Sequence, residues 1–421
     1  MEVIALADAS SSLERSLFIS PRFRSPMLMK ALLFFFFFAG RLSAADLYVG
    51  KNLPTIQQAI KAAQPGDTIH LQPKVYHDYA GFYAKKGEPT KPITLDGHGA
   101  ILEGSDPIDP ATWTEVSPGL FQNDALLPVL NDAITSRWFF LFNNKMQLMN
   151  RTSKGRSAPY KKPEELLPGE WTFLKGPARP KAKPQQTFGS FYIKLAAGQK
   201  LAEANISYPI RSAGVQFSGD NAHLIIKNLI VTHPYNDGFN IHGDCRNCVF
   251  ENIQAIECGD DGISAHESAQ YRVDGFVSIG NSTGICDTGT AQTSYNHVFI
   301  ADCVGFDLYF LEHGRYDLSN SVILSSAQNP LTITGRDKGD CRMKMDNVLF
   351  KRLTEPRLGN VALHATLEAN NCTFENLEIK VTGTATWHNC LINQKPLPKD
   401  RQASGAKVDE LLKLIPKNNQ P

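Results

Sequence analysis

The sequence predicts an all-β fold, a parallel β-helix solenoid of about 23 residues per coil. Two rows of apolar residues carry the prediction. Val215, Phe239, Ile263, Ile285, Leu308 and Leu331 recur at spacings of 24, 24, 22, 23 and 23 residues. Leu229, Ile253, Phe276, Val298, Val322 and Val348 follow at 24, 23, 22, 24 and 26. The third observation is segment length: the apolar stretches run four to six residues between Asn, Asp and Gly, too short for helical repeats.

The elements follow in chain order. Residues 1–45 read as an upstream extension and a signal peptide, with Met27 or Met29 as the fitting start. Lys30, the apolar run Ala31 to Ala39, and the small residues Ser43 and Ala45 make a secretory leader too short for a membrane span. The expectation is an exported protein (periplasmic, cell-surface or secreted) with no membrane span after leader removal.

Residues 46–108 hold a cap helix and the first coils. Ile56, Ala59, Ile60 and Ala63 share one helix face, Thr55 with Gln58 forms a capping box, and Pro65-Gly66 ends the helix. "DTIHL" alternates as a strand, and "KPITLDGHGAILEG" reads as two short strands broken by Gly. Such a helix covers the apolar end and unpaired edge of a coil stack. This opening resembles that of the right-handed parallel β-helix proteins of the pectate-lyase-like superfamily, which implies that fold and carbohydrate-directed function.

Between 109 and 208 the period vanishes. The stretch holds Trp113, Trp138 and Trp171, and from Lys145 to Lys183 it carries ten Lys or Arg against three Glu. It reads as an inserted β-rich subdomain, and "LPGEWTF" with "FYIKL" is similar to inserts in some β-helix glycosidases. The basic run is either a solvated surface or a patch for an anionic ligand. The main solenoid occupies 209–395, and 396–421 reads as a linker and a short amphipathic helix, "KVDELLKLIP".

Net charge of +1 excludes a global basic field for nucleic acid. All eight cysteines lie beyond residue 244, where an exported chain could pair them or bury them as thiols. Cys245-x-x-Cys248 near His242 and His266 has the paired spacing of a zinc signature at one end only, so a disulfide is the better reading there.

The chemistry centres on a phrase written twice. "NDGFNIHGD" (Asn236 to Asp244) returns 24 residues later as "DDGISAHES" (Asp260 to Ser268). Alternation places Asn240, Ser264, Cys286, Tyr309 and Thr332 on the outer face, opposite the first apolar row. It also sets His242 over His266 and Asp237 over Asp261, one coil spacing of ~4.8 Å apart. Acid-Gly pairs are ordinary turn chemistry. The paired histidines are not demanded by a turn, and the third coil, "STGICDTG", carries Asp287 without one.

Asn236-Asp237-Gly238 and Asp260-Asp261 resemble the first two elements of the polygalacturonase-like glycoside hydrolases. That family's "HG" and "R-x-K" occur as His313-Gly314 and Arg336-Asp337-Lys338, stretched by about one coil. "DGISAHES" resembles the acid-bearing strand of alginate-modifying β-helix enzymes, with Ser264-Ala265 in place of Asp-Pro.

Two reactions are open. Hydrolysis needs one protonated and one ionised carboxylate, ~6.5–9.5 Å apart in an inverting enzyme. Asp237, Asp260 and Asp261 supply them, with His242 and His266 on sugar hydroxyls. Elimination from a uronate needs a base, here His242, His266 or Tyr309, and a cation near the carboxylate. The cation is Arg315, Arg336, Lys338, or Ca²⁺ held by Asp244, Asp261 and Glu267. Asn240, Glu267, Tyr309, Glu312, His313, Arg315, Arg336 and Lys338 are the substrate-binding candidates. "FLEHGRYD" is either a surface ion pair or a carboxylate clamp. The expected partner is a polysaccharide or oligosaccharide, anionic in the elimination case. The alternative is a non-catalytic glycan-binding or surface-structural β-helix.

Overall fold

A computed structural model describes residues 44–127, 130–177, 183, 186–336 and 340–393. The signal peptide, the C-terminal helix and Lys338 lie outside the described residues. No helix among the described residues is long and apolar enough to cross a membrane.

Two parallel sheets form the solenoid. A 14-stranded sheet contains the long strands Ile93–Glu103, Leu224–Thr232, Cys248–Ile256, Gln270–Ile279, Gln292–Ala301, Arg315–Ser325 and Cys341–Arg352. The other, here the site sheet, has nine strands, among them Ala80–Tyr83, Val215–Ser218, Phe239–Ile241, Asp261–Ala265, Thr283–Asp287, Phe306–Glu312 and Asn329–Gly335. The first apolar row is in register throughout: Val215 pairs with Phe239, then Ile263, Ile285, Leu308 and Leu331. All six are fully buried. A one-residue slip would send every member outward, so burial enforces this register.

The second row holds from Leu229 through Ile253 and Phe276 to Val298, then departs from expectation. Val322 pairs with Phe299, and it is Ser321 that pairs with Val348. Ser321 is tolerated because its hydroxyl accepts from Val298 N–H at 3.1 Å and donates to Ser319 O at 2.6 Å. Val322 instead packs beside a small cluster around Val277, Phe299 and Leu324.

The long strands bend at left-handed residues: Asn228, Asn252, His297, Asn320, Asn347 and Asn371 have φ between 48° and 54°. Asn tolerates this region better than branched residues, and here its amide also reaches the preceding coil. Asn252 donates to Asn228 at 3.0 Å and Asn347 to Asn320 at 2.9 Å. The segment 93–103 is likewise one strand bent at Gly97–Gly99, not two strands.

The cap helix, Ile56–Ala62, has the expected box between Thr55 and Gln58 and buries Ile56, Ala59 and Ile60. From Ser105 to Pro209 the chain leaves the coil and builds two four-stranded antiparallel sheets. Trp113, Trp138, Trp171, Phe140, Phe173 and Phe191 form their core, and Trp138 stacks near Tyr235 of the solenoid at 6.4 Å. All eight cysteines are free thiols, seven of them buried, so the disulfide reading is set aside. All but Cys286, which stands in the outer row, pack in or against the solenoid core as small apolar groups.

Candidate functional site

The repeated phrase brings three carboxylates together. Oxygens of Asp237, Asp260 and Asp261 lie within 4.8 Å of one another, and all three residues are buried. Sheet register is the cause: Phe239 pairs with Ile263, which places Asp237 beside Asp261, and Asp261 N–H donates to Asp237 Oδ1 at 3.1 Å. Ser264 Oγ donates to Asp237 Oδ2 at 2.6 Å. The oxygens are closer than the ~6.5–9.5 Å of an inverting pair, so that expected spacing is corrected.

Two cations from the inserted segment close the cluster. Lys154 Nζ bonds Asp261 at 2.7 Å and also Asp260, and Arg137 Nε bonds Asp260 Oδ2 at 2.7 Å. Ser153 adds a hydroxyl to Asp260. The loop carrying Lys154 is pinned to three coils. Thr152 and Ser153 meet Ser282 Oγ, Arg156 N–H donates to Gln328 Oε1 at 2.7 Å, and Gly305 leaves room for the Lys154 carbonyl. The basic run of the insert is therefore no simple solvated surface. Sequence spacing could not point to Lys154 or Arg137, because neither is near the acids in the chain.

Unequal surroundings separate the three acids. Burial raises Asp261 well above the usual carboxylate range, with the charge of Asp260 adding to it. Asp237 rises for the same two reasons. Burial also works against charge on Asp260, but Lys154 and then Arg137 outweigh it and hold that carboxyl low. The surroundings thus push the acids apart, Asp260 downward through its two cations and Asp261 and Asp237 upward through burial.

The histidines stack as expected, His242 on His266 with centroids 4.0 Å apart and planes within 5°. They stand at the other end of the strand from the carboxylates, about 16 Å of extended backbone for five residues. Burial and then His242 lower His266 to about 4, so it stays neutral. Glu267 accepts from Gly243 N–H at 2.9 Å and approaches His242 Nδ1 at 3.2 Å.

The outer row runs Asn240, Ser264, Cys286, Tyr309 and Thr332 in register. Its first three members are buried and not solvent-facing. Asn240 donates to Gln216 at 3.0 Å, and Tyr309 stacks on Phe306 at 4.3 Å. Phe306 shares a row with Asp261 through Thr283, which makes it an unforeseen part of this face.

The other candidates fall apart. Glu312 bonds Arg336 at 3.0 Å as a surface ion pair, and His313 and Arg315 are exposed beside it, away from the triad. Asp244, Asp261 and Glu267 are not gathered for Ca²⁺: Asp244 accepts from Ser268, Glu267 faces His242, and Asp261 belongs to the triad. The triad itself does not fit Ca²⁺ either, since the Lys154 ammonium takes the cation's place among its oxygens.

No protein-family profile matches the chain, and no curated protein matches it. Solved structures similar to it include a complex of XylC with xylose, at 12% identity over 85% of this chain and 86% of that one, TM-score 0.42. A glycoside hydrolase matches at 9% identity over 87% and 99%, TM-score 0.45. The family 28 exopolygalacturonase of Yersinia enterocolitica matches at 15% over 82% and 78%, TM-score 0.30. The solenoid assignment rests on the strand pairing described above.

Proposed function

We propose that this chain is a carbohydrate-active enzyme that hydrolyses a glycosidic bond at Asp237, Asp260 and Asp261. The observation that carries the reading is three converging carboxylates in unequal surroundings, Asp260 bonded by both Lys154 and Arg137 and pushed downward, Asp261 pushed upward by burial. Hydrolysis needs that pairing of a proton donor with a carboxylate. In this assignment Asp261 protonates the leaving oxygen while Asp260, the ionised partner, attacks the anomeric carbon, and Asp261 then takes the proton of the water that releases the sugar, the retaining course that fits the short spacing. Asp237 anchors Asp261 through the backbone bond. The three acids are buried beneath Lys154, so access of a glycan to Asp261 requires that ammonium to swing aside, with Arg137 left to hold Asp260. Tyr309 and Phe306 offer a stacked aromatic wall about two coils, ~10 Å, farther along.

One observation favours elimination as a second reading: His266 is held neutral, as a base must be, and is only partly buried. A panel of pectic, alginate-like and sulfated polysaccharides, with and without Ca²⁺, separates the readings. New reducing ends without ultraviolet absorbance support hydrolysis, lost in Asp260→Asn and Asp261→Asn. Reducing ends with absorbance from unsaturated uronate support elimination and move attention to His266. Silence on every polymer favours the non-catalytic, glycan-binding alternative.

A further inference from the structure

The cap helix does more than cover the first coil. Between it and the strand Ala80–Tyr83 lies an open cleft of about 410 Å³, lined by Gln57, Gln58, Lys61, Gly81, Tyr83 and Lys85. Tyr83 is 57% exposed and presents its ring to the cleft. Gly81 forms the floor, where a Cβ would crowd Gln57 Nε2 at 2.8 Å and the Tyr83 ring at 2.8 Å. An aromatic face, two amide side chains and a narrow floor suit a sugar ring, which offers C–H faces and hydroxyls. Two lysines and no carboxylate line the cleft.

Strand register ties the cleft to the carboxylates. Gly81 pairs with Gln216, Gln216 with Asn240, and Asn240 with Ser264, whose hydroxyl holds Asp237. Beside this column runs a second. Tyr83 pairs with Ser218, the ladder continues where His242 N–H donates to Phe217 O, and His242 stacks on His266. Tyr83 is exposed, and Ser218, His242 and His266 are all partly exposed, so the column is an open wall. Three coil steps, ~14 Å, separate Gly81 from Ser264.

We propose that the cap-helix cleft is a remote sugar subsite for an acidic glycan, from which the open Tyr83–Ser218–His242–His266 wall leads to the coil that carries the carboxylates, one strand length, ~16 Å, from Asp261. This rests on the glycan reading above and names its substrate class: a uronate-bearing chain long enough to span the wall. Tyr83 stacks on the remote sugar, Gln57 and Gln58 meet its hydroxyls, and Lys61 and Lys85 meet its carboxylate.

Calorimetric titration of the full chain with oligogalacturonates of three and seven residues tests it, in an Asp261→Asn background so that cleavage does not consume the ligand. The heptamer should bind roughly tenfold more tightly than the trimer. Adding Tyr83→Ala should bring the heptamer to the trimer's affinity and leave the trimer unchanged, with folding preserved because Tyr83 is exposed. Equal affinities for the two lengths, heptamer binding indifferent to Tyr83, or no binding of either oligomer would overturn the subsite. Tyr83-dependent heptamer binding together with no cleavage by the native chain would keep the subsite and overturn hydrolysis.

Discussion

Lys154 Nζ lies 2.7 Å from Asp261 Oδ1 across 107 residues of chain, and the same ammonium reaches Asp260. An inserted segment thus completes a charge cluster whose acids come from two successive coils. Lys154→Met removes the shared cation and leaves Asp260 with Arg137 alone. Breaking a buried ion pair costs on the order of 3 kcal/mol, read as a lower urea midpoint, and Lys154→Arg should recover most of it. An unchanged midpoint in Lys154→Met would refute the pairing.

Gly305 is one of the points where the Lys154 loop is pressed against the solenoid. A Cβ there would overlap the Lys154 carbonyl oxygen and stand 2.9 Å from Thr152 Oγ1. Gly305→Ala should lose about 1–3 kcal/mol, typical of overpacking, and most of any cleaving activity. The β circular-dichroism spectrum should stay native. Full activity in this variant would mean that the loop position is irrelevant to the site.

Asp287 gives a pH dependence with a definite sign. It stands in the core between Ala265 and Phe310, bonded to Thr293, Tyr295 and Tyr271, and burial raises it to about 7. The folded state holds its proton at pH values where the unfolded chain has lost it. Its contribution is complete below the unfolded value near 3.8 and fades as pH rises toward 7. Asp307, also raised to about 7 by burial, acts in the same direction. Stability by urea unfolding should therefore fall between pH 4 and 7. Asp287→Asn should flatten the slope and gain on the order of 3 kcal/mol at pH 8; an equally steep slope in that variant counts against a buried proton.

His266 works in the opposite direction. Burial and the His242 ring lower it to about 4, below the usual 6.5. The unfolded chain takes up this proton first, so the histidine costs stability as pH falls from about 6.5 to 4. Imidazole nitrogen resonances should show His266 neutral at pH 5.5, and His266→Phe should lessen the acid-side loss. A charged His266 at pH 5.5 would contradict the buried stack.

The cap helix, the coil period, the core row from Val215 to Leu331 and the stacking of Asp237, Asp261, His242 and His266 were all legible in the residues. They were legible because a solenoid couples each residue to one a single coil away, so spatial neighbours repeat at fixed sequence distance. Ser321 defeated that reading, since a hydroxyl with both its bonds made can hold a core position that apolar matching assigns to Val322. The insert defeated it more completely. Lys154 and Arg137 meet Asp260 through contacts no period encodes, and packing around Trp138 and Gly305 sets where they fall. The sequence by itself determined the coiled scaffold and which acids would share a face, because short-range pattern and coil register specify both. Only the tertiary structure decided which of those acids carries charge, because that depends on cations delivered from a distant part of the chain.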